Sequence, residues 1–144
     1  MPRFARFTLA ALLVWLAVIP AARSESVERI RVEGELIDTW CYVTEIMYAR
    51  GSAHYQCAVW CAVGGIPVSI RAADGTLYVV LRIEDDTQNV SNPAVVRIQS
   101  HQVTVDGDLI RRDGVNYLLV TQVADDEGIV DLTHEKFGIQ PWGM

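Results

Sequence analysis

The chain is poor in the residues from which enzymatic signatures are assembled. It contains no G-x-G-x-x-G, and its Gly64-Gly65 pair is followed by no lysine, so no phosphate loop is encoded. No G-x-S-x-G nucleophile elbow or other hydrolase motif occurs. C-x-x-C-H is absent, which removes covalent haem attachment, and so is the C-x-x-C of thioredoxin-like proteins. Positive charge is also short. Twelve Lys and Arg face 18 Asp and Glu, for a net charge of -6. An acidic surface repels phosphate backbones, which argues against nucleic acid as a partner. Cysteine is scarce and odd in number, at three. Simple pairing would leave one thiol over, whereas metal ligation uses all three.

Only one long apolar run is present, and it stands at the start. Arg3 and Arg6 precede an uncharged stretch from Phe7 to Ile19, and Ala22-Arg23-Ser24 offers a small-x-small cleavage site. That arrangement is a secretory signal peptide, residues 1–24. The run is shorter than the roughly 20 residues that span a bilayer, and no later segment is apolar enough to insert. The competing reading is an uncleaved N-terminal anchor. Export implies a periplasmic or secreted chain and an oxidising compartment. About 120 residues remain, 25–144, enough for one domain with its own core. Loss of Arg3, Arg6 and Arg23 leaves that domain more acidic still.

The remainder reads as strands. Ile30, Val32 and Leu36 alternate with Arg29, Arg31, Glu33 and Glu35, the period of a half-buried strand with the charged residues outward. Val68 and Ile70 open a second strand, Asp74-Gly75 turns, and Leu77–Ile83 returns. Asn92 before Pro93 starts a short helix. Residues 102–112 alternate again, Asp113-Gly114 turns, and 116–124 is the last strand. "VEGELI" at 32–37 and "VDGDLI" at 105–110 share a mid-strand glycine, where a bulge or sharp bend is expected. Five strands with a helix between the third and fourth match an OB-like barrel, mainly β, with a helical insertion at 41–66 between strands 1 and 2. The segment from 125 to 144 is read as a packed-down tail.

The insertion holds all three cysteines. In "AHYQCAVWCAVGG", Ser52 is the expected N-cap and Gly64-Gly65 the stop of a helix of about three turns. His54, Cys57 and Cys61 then share a stripe, and Cys41 approaches it from the end of strand 1. Three thiolates and an imidazole suit zinc or copper(I). One geometric objection stands. An ideal helix separates His54 from Cys61 by roughly 10 Å, so a single ion requires the helix to start later, or His54 to lie in the loop before it. Met47 is a candidate thioether if the ion is copper, and Asp38 and Glu45 are candidate oxygen ligands or outer acceptors. A filled four-ligand site leaves no open position for substrate, which points away from an enzyme. Two other readings compete. One is a disulfide from Cys41 to Cys57 or Cys61 bracing a ligand-binding barrel, and the other is thiol–disulfide exchange at Cys57 or Cys61. Trp40 and Trp60, beside the cysteines, are read as core aromatics or as shields for the site, and His101 and His134 as surface or packing residues.

The pattern "GELIDTWCY … HYQCAVWCAVGGIPVSI … DGTLYVVL" resembles a type of small exported bacterial protein with an OB-type barrel and a Cys-plus-His-x2-Cys-x3-Cys insertion. The likeness runs from Gly34 to about Leu81, with 103–120 fitting the end of the barrel. It implies that Cys41, His54, Cys57 and Cys61 belong together; read with the cysteine spacing, they are expected to form a periplasmic metal site whose partners are the ion and another periplasmic protein. It implies no particular activity.

Overall fold

The computed structural model describes residues 27–84 and 93–140. The expected signal peptide and the helix-start residue Asn92 lie outside these residues. Five strands carry the fold: β1 (Glu28–Asp38), β2 (Val68–Ala72), β3 (Leu77–Ile83), β4 (Gln102–Arg112) and β5 (Val115–Asp126). Among the described residues four short helices accompany them: α1 (Thr39–Thr44) and α2 (Tyr55–Val63) between β1 and β2, α3 (Pro93–Arg97) between β3 and β4, and α4 (His134–Phe137) in the tail.

The strands close into a barrel in the order β1-β2-β3-β5-β4. All neighbours are antiparallel except β3 and β5, which run parallel. This is the small OB-like barrel expected from the alternation, and the insertion sits where the spacing put it. Inward residues of every strand make the core: Val32, Leu36, Ile70, Val80, Val103, Val105, Leu118 and Val120 are all buried. Ala62 of α2 and Val95 of α3 complete it. The barrel is therefore capped by α3 and by the face of α2 opposite Trp60.

The echoed glycines serve close approach. A Cβ on Gly34 would meet the Arg71 carbonyl oxygen at 2.3 Å, and one on Gly107 would meet that of Leu119 at 2.8 Å. Gly107 also marks a register irregularity between β4 and β5. Small barrels bend sharply at such points in order to close. Among the described residues no helix is long and apolar enough to cross a membrane.

Candidate metal centre

β1 departs from simple alternation in its second half, where Gly34 to Asp38 are all buried. Its outer side there is covered by the insertion, and two acidic side chains are enclosed as a result. Glu35, expected to face solvent, instead accepts from the Gly51 backbone N–H at 2.6 Å and from Arg50 Nε at 2.8 Å. Asp38 ends the strand and caps α1 through Oδ1, which accepts from the Cys41 N–H at 3.1 Å. Two side-chain contacts seat the start of the insertion on the barrel: Thr39 Oγ1 lies 2.8 Å from Ser69 Oγ, and Arg71 Nε donates to the Tyr42 hydroxyl at 2.8 Å. Cys41 is thereby turned inward, while Trp40 and Val43 face out.

The second helix begins at Tyr55, one residue after His54. The objection to His54 as a ligand is met in this way, since the ring is carried by the turn before the helix. The expected cap, Ser52, is used elsewhere: its hydroxyl accepts from the His134 N–H at 3.1 Å and lies 2.7 Å from His134 Nδ1. Gly64 ends the helix as expected.

Asp38, Cys41, His54 and Cys57 each offer one donor atom, and these atoms lie within 4.8 Å of one another. Bonds of about 2.0–2.3 Å to a tetrahedral ion set its ligand atoms about 3.3–3.8 Å apart. Contraction by roughly 1 Å at the widest therefore closes the four donors on one ion. His54 Nε2 and Asp38 Oδ2 stand 3.6 Å apart. That is too long for a hydrogen bond but fits the edge between two ligands. Neither ring nitrogen of His54 has a hydrogen-bond partner, nor has Asp38 Oδ2, although both side chains are only 1% exposed. Each such buried, unpaired atom costs about 1–3 kcal/mol unless something else satisfies it. A metal ion would satisfy Asp38 Oδ2 and one of the two ring nitrogens.

Burial and the neighbouring charges set the protonation of the metal-free donors. Burial pushes the His54 pKa below its ordinary value and leaves the ring neutral, the form that ligates. Burial also favours the neutral acid of Asp38, but the Cys61 thiol, the Cys41 amide and thiol, and the His54 ring outweigh it, so the carboxyl stays below its usual range. Burial, then the Asp38 carboxylate and Cys57, push the Cys41 thiol up to about 12. The same causes raise Cys61. Without an ion these thiols keep their protons, and binding must release them.

Of the residues read from the sequence, Cys41, His54 and Cys57 converge. Cys61 stands outside the set of mutually close donors, though near enough to Asp38 and Cys57 for each to raise its pKa. Asp38, read as an oxygen candidate, joins the set. Glu45 is exposed and does not. The three cysteines are free, so the disulfide-braced reading finds no bridge. Trp40 and Trp60 are not core residues, at 57% and 65% exposed. Each lies on the outer side of a short helix whose inner side carries Cys41 in α1 and Ala58 and Ala62 in α2, with Cys57 and Cys61 half-buried at its edge. His101 hydrogen-bonds Asp126 and His134 hydrogen-bonds Ser52, both apart from the cluster.

Sequence reasoning missed the part played by the tail. Ser52 N–H donates to the Asp131 carbonyl at 2.9 Å, Ala53 N–H to Thr133 Oγ1 at 3.1 Å, and Thr133 Oγ1 to the Arg50 carbonyl at 3.1 Å. Tyr48 and Phe137 stack with ring centroids 4.3 Å apart. The loop that presents His54 is thus held between Glu35 on the barrel and residues 131–137 of the tail. No periodic signal marks such a contact; only the Thr133-His134 pair of polar side chains hints at it. Among the described residues the donors form a cluster suited to a metal ion. Comparison with protein-family models, curated proteins and solved structures finds no match for this chain.

Proposed function

We propose that this chain is a periplasmic transition-metal-binding protein that holds zinc or copper(I) at the junction of its barrel and insertion. The observation that carries the reading is the convergence of Asp38, Cys41, His54 and Cys57 around an imidazole with neither nitrogen bonded. Zinc accepts all four donors. A cuprous ion prefers the thiolates and exchanges Asp38 for Cys61. Zinc in this closed site is structural, since it fastens the insertion and the start of α2 to β1. Copper(I) implies storage or delivery to another periplasmic protein. Export through the N-terminal segment, and kinship with small exported barrels bearing the same Cys/His insertion, belong to this proposal and rest on the sequence pattern.

The thiol-exchange alternative requires an exposed cysteine with a depressed pKa. Burial and the neighbouring Asp38 carboxylate raise the Cys61 pKa, which disfavours Cys61 as the attacking thiol. Intact mass under native and denaturing conditions tests the proposal. One metal increment per chain, lost on denaturation, is expected. Cys41→Ser should abolish stoichiometric uptake. A chain lighter by two hydrogens and free of metal would return the site to a disulfide.

A further inference from the structure

A cleft of about 670 Å³ opens between the insertion and the tail, lined among others by Met47, Tyr48, Ala49, Leu132, Lys136 and Phe137. Its Met47 side is next to the metal centre, because Met47 Sδ lies 3.6 Å from Cys57 Sγ. Two sulfurs bound to one ion stand at about that separation. The donors differ in access. Asp38, Cys41 and His54 are at most 4% exposed, Cys57 is half-buried, and Met47 is 43% exposed. An ion arriving from solvent therefore reaches Met47 and Cys57 before it reaches the interior.

We propose that Met47 is the entry ligand for a cuprous ion, with the cleft as its port. This rests on the metal-binding reading above and adds the class of ion and its route. A thioether is uncharged and carries no proton, so it binds a soft monovalent ion at once, and it adds little for a divalent ion that prefers imidazole and carboxylate. The ion passes from a soluble cuprous complex to Met47. It then bonds to Cys57 as the Cys57 thiol gives its proton to solvent, and it moves inward to Cys41, whose thiol releases its proton to solvent in turn. Copper stays cuprous throughout, and no electron is transferred.

The test is Met47→Leu, a substitution that keeps volume at a partly exposed position. Two titrations are run on the purified full chain. One uses cobalt(II) in place of zinc. The other uses a coloured cuprous chelate, followed for both rate and end-point. The expected result is unchanged cobalt binding and an unchanged cuprous end-point, with cuprous uptake slowed about tenfold or more, the scale seen when a supporting group is removed from a metal site. Equal loss for both ions would make Met47 a packing residue and overturn the proposal. Unchanged cuprous uptake with intact cobalt binding would overturn it too, and would leave the metal site standing. A wild-type chain that takes up neither ion would overturn both.

Discussion

Gly51→Ala is the sharpest test of how the site is held. Gly51 has φ +67°, a left-handed conformation, and a Cβ there would lie 2.3 Å from the Asp131 carbonyl oxygen and 2.7 Å from Thr133 Oγ1. The left-handed backbone alone costs alanine about 1–2 kcal/mol. The clash adds to this, because the Asp131 carbonyl accepts from Ser52 N at 2.9 Å and from Thr133 N at 3.1 Å and cannot retreat without stretching both bonds. Each is worth about 0.5–1.5 kcal/mol. The total is roughly 2–5 kcal/mol, on the order of 10 °C in Tm for a domain of this size. Gly114→Ala is the control. It has φ +81° with nothing within 4 Å of its Cβ position, so it should cost only the backbone part. The two variants should also differ in metal binding. The His54 N–H bonds the Gly51 carbonyl at 3.1 Å, so displacement of Gly51 displaces the imidazole. Denaturant melts of the metal-free protein and cobalt titrations read both effects. If Gly51→Ala costs no more than Gly114→Ala, or if it destabilises the fold and leaves cobalt affinity untouched, the tail does not position His54.

Further outcomes bear on the donors themselves. Asp38→Asn keeps an oxygen to cap the Cys41 N–H but removes the anionic donor, so zinc affinity should fall about 10- to 100-fold in a chelator competition. Cys61→Ser should cost zinc less than Asp38→Asn does, because Cys61 stands outside the close set; the reverse order would restore a three-cysteine ligand shell. The metal-free protein should lose stability as pH falls below 6.5. Burial holds the folded His54 pKa below that value, so the unfolded chain takes up this proton first. The loss should continue down to the depressed folded pKa at up to about 1.4 kcal/mol per pH unit, and His54→Gln should flatten it.

The barrel was legible because alternation is local. Ile30, Val32 and Leu36, or Val103, Val105 and Leu109, announce their inward faces from neighbours two residues away. The convergence of Cys41 with Cys57 was legible for a related reason: a strand ending at Asp38 must deliver the next residues to the insertion. What could not be read depends on contacts far apart in the chain. Glu35 has the position of a solvent-facing residue, and its burial follows only from Arg50 and Gly51 folding over it. Ser52 has the chemistry of a helix cap, but His134 claims its hydroxyl. Trp40 and Trp60 suggest a core by size alone, whereas helices of 6 and 9 residues cannot bury both of their sides on a barrel already full.

β1 is an 11-residue strand with the metal cluster at its Asp38 end. Glu28, at the other end, pairs with Leu109 near the Asp113-Gly114 turn, about 30 Å of strand away. The described chain thus begins at the opposite rim. A purification handle or surface tether belongs there, where it cannot crowd the ion's path.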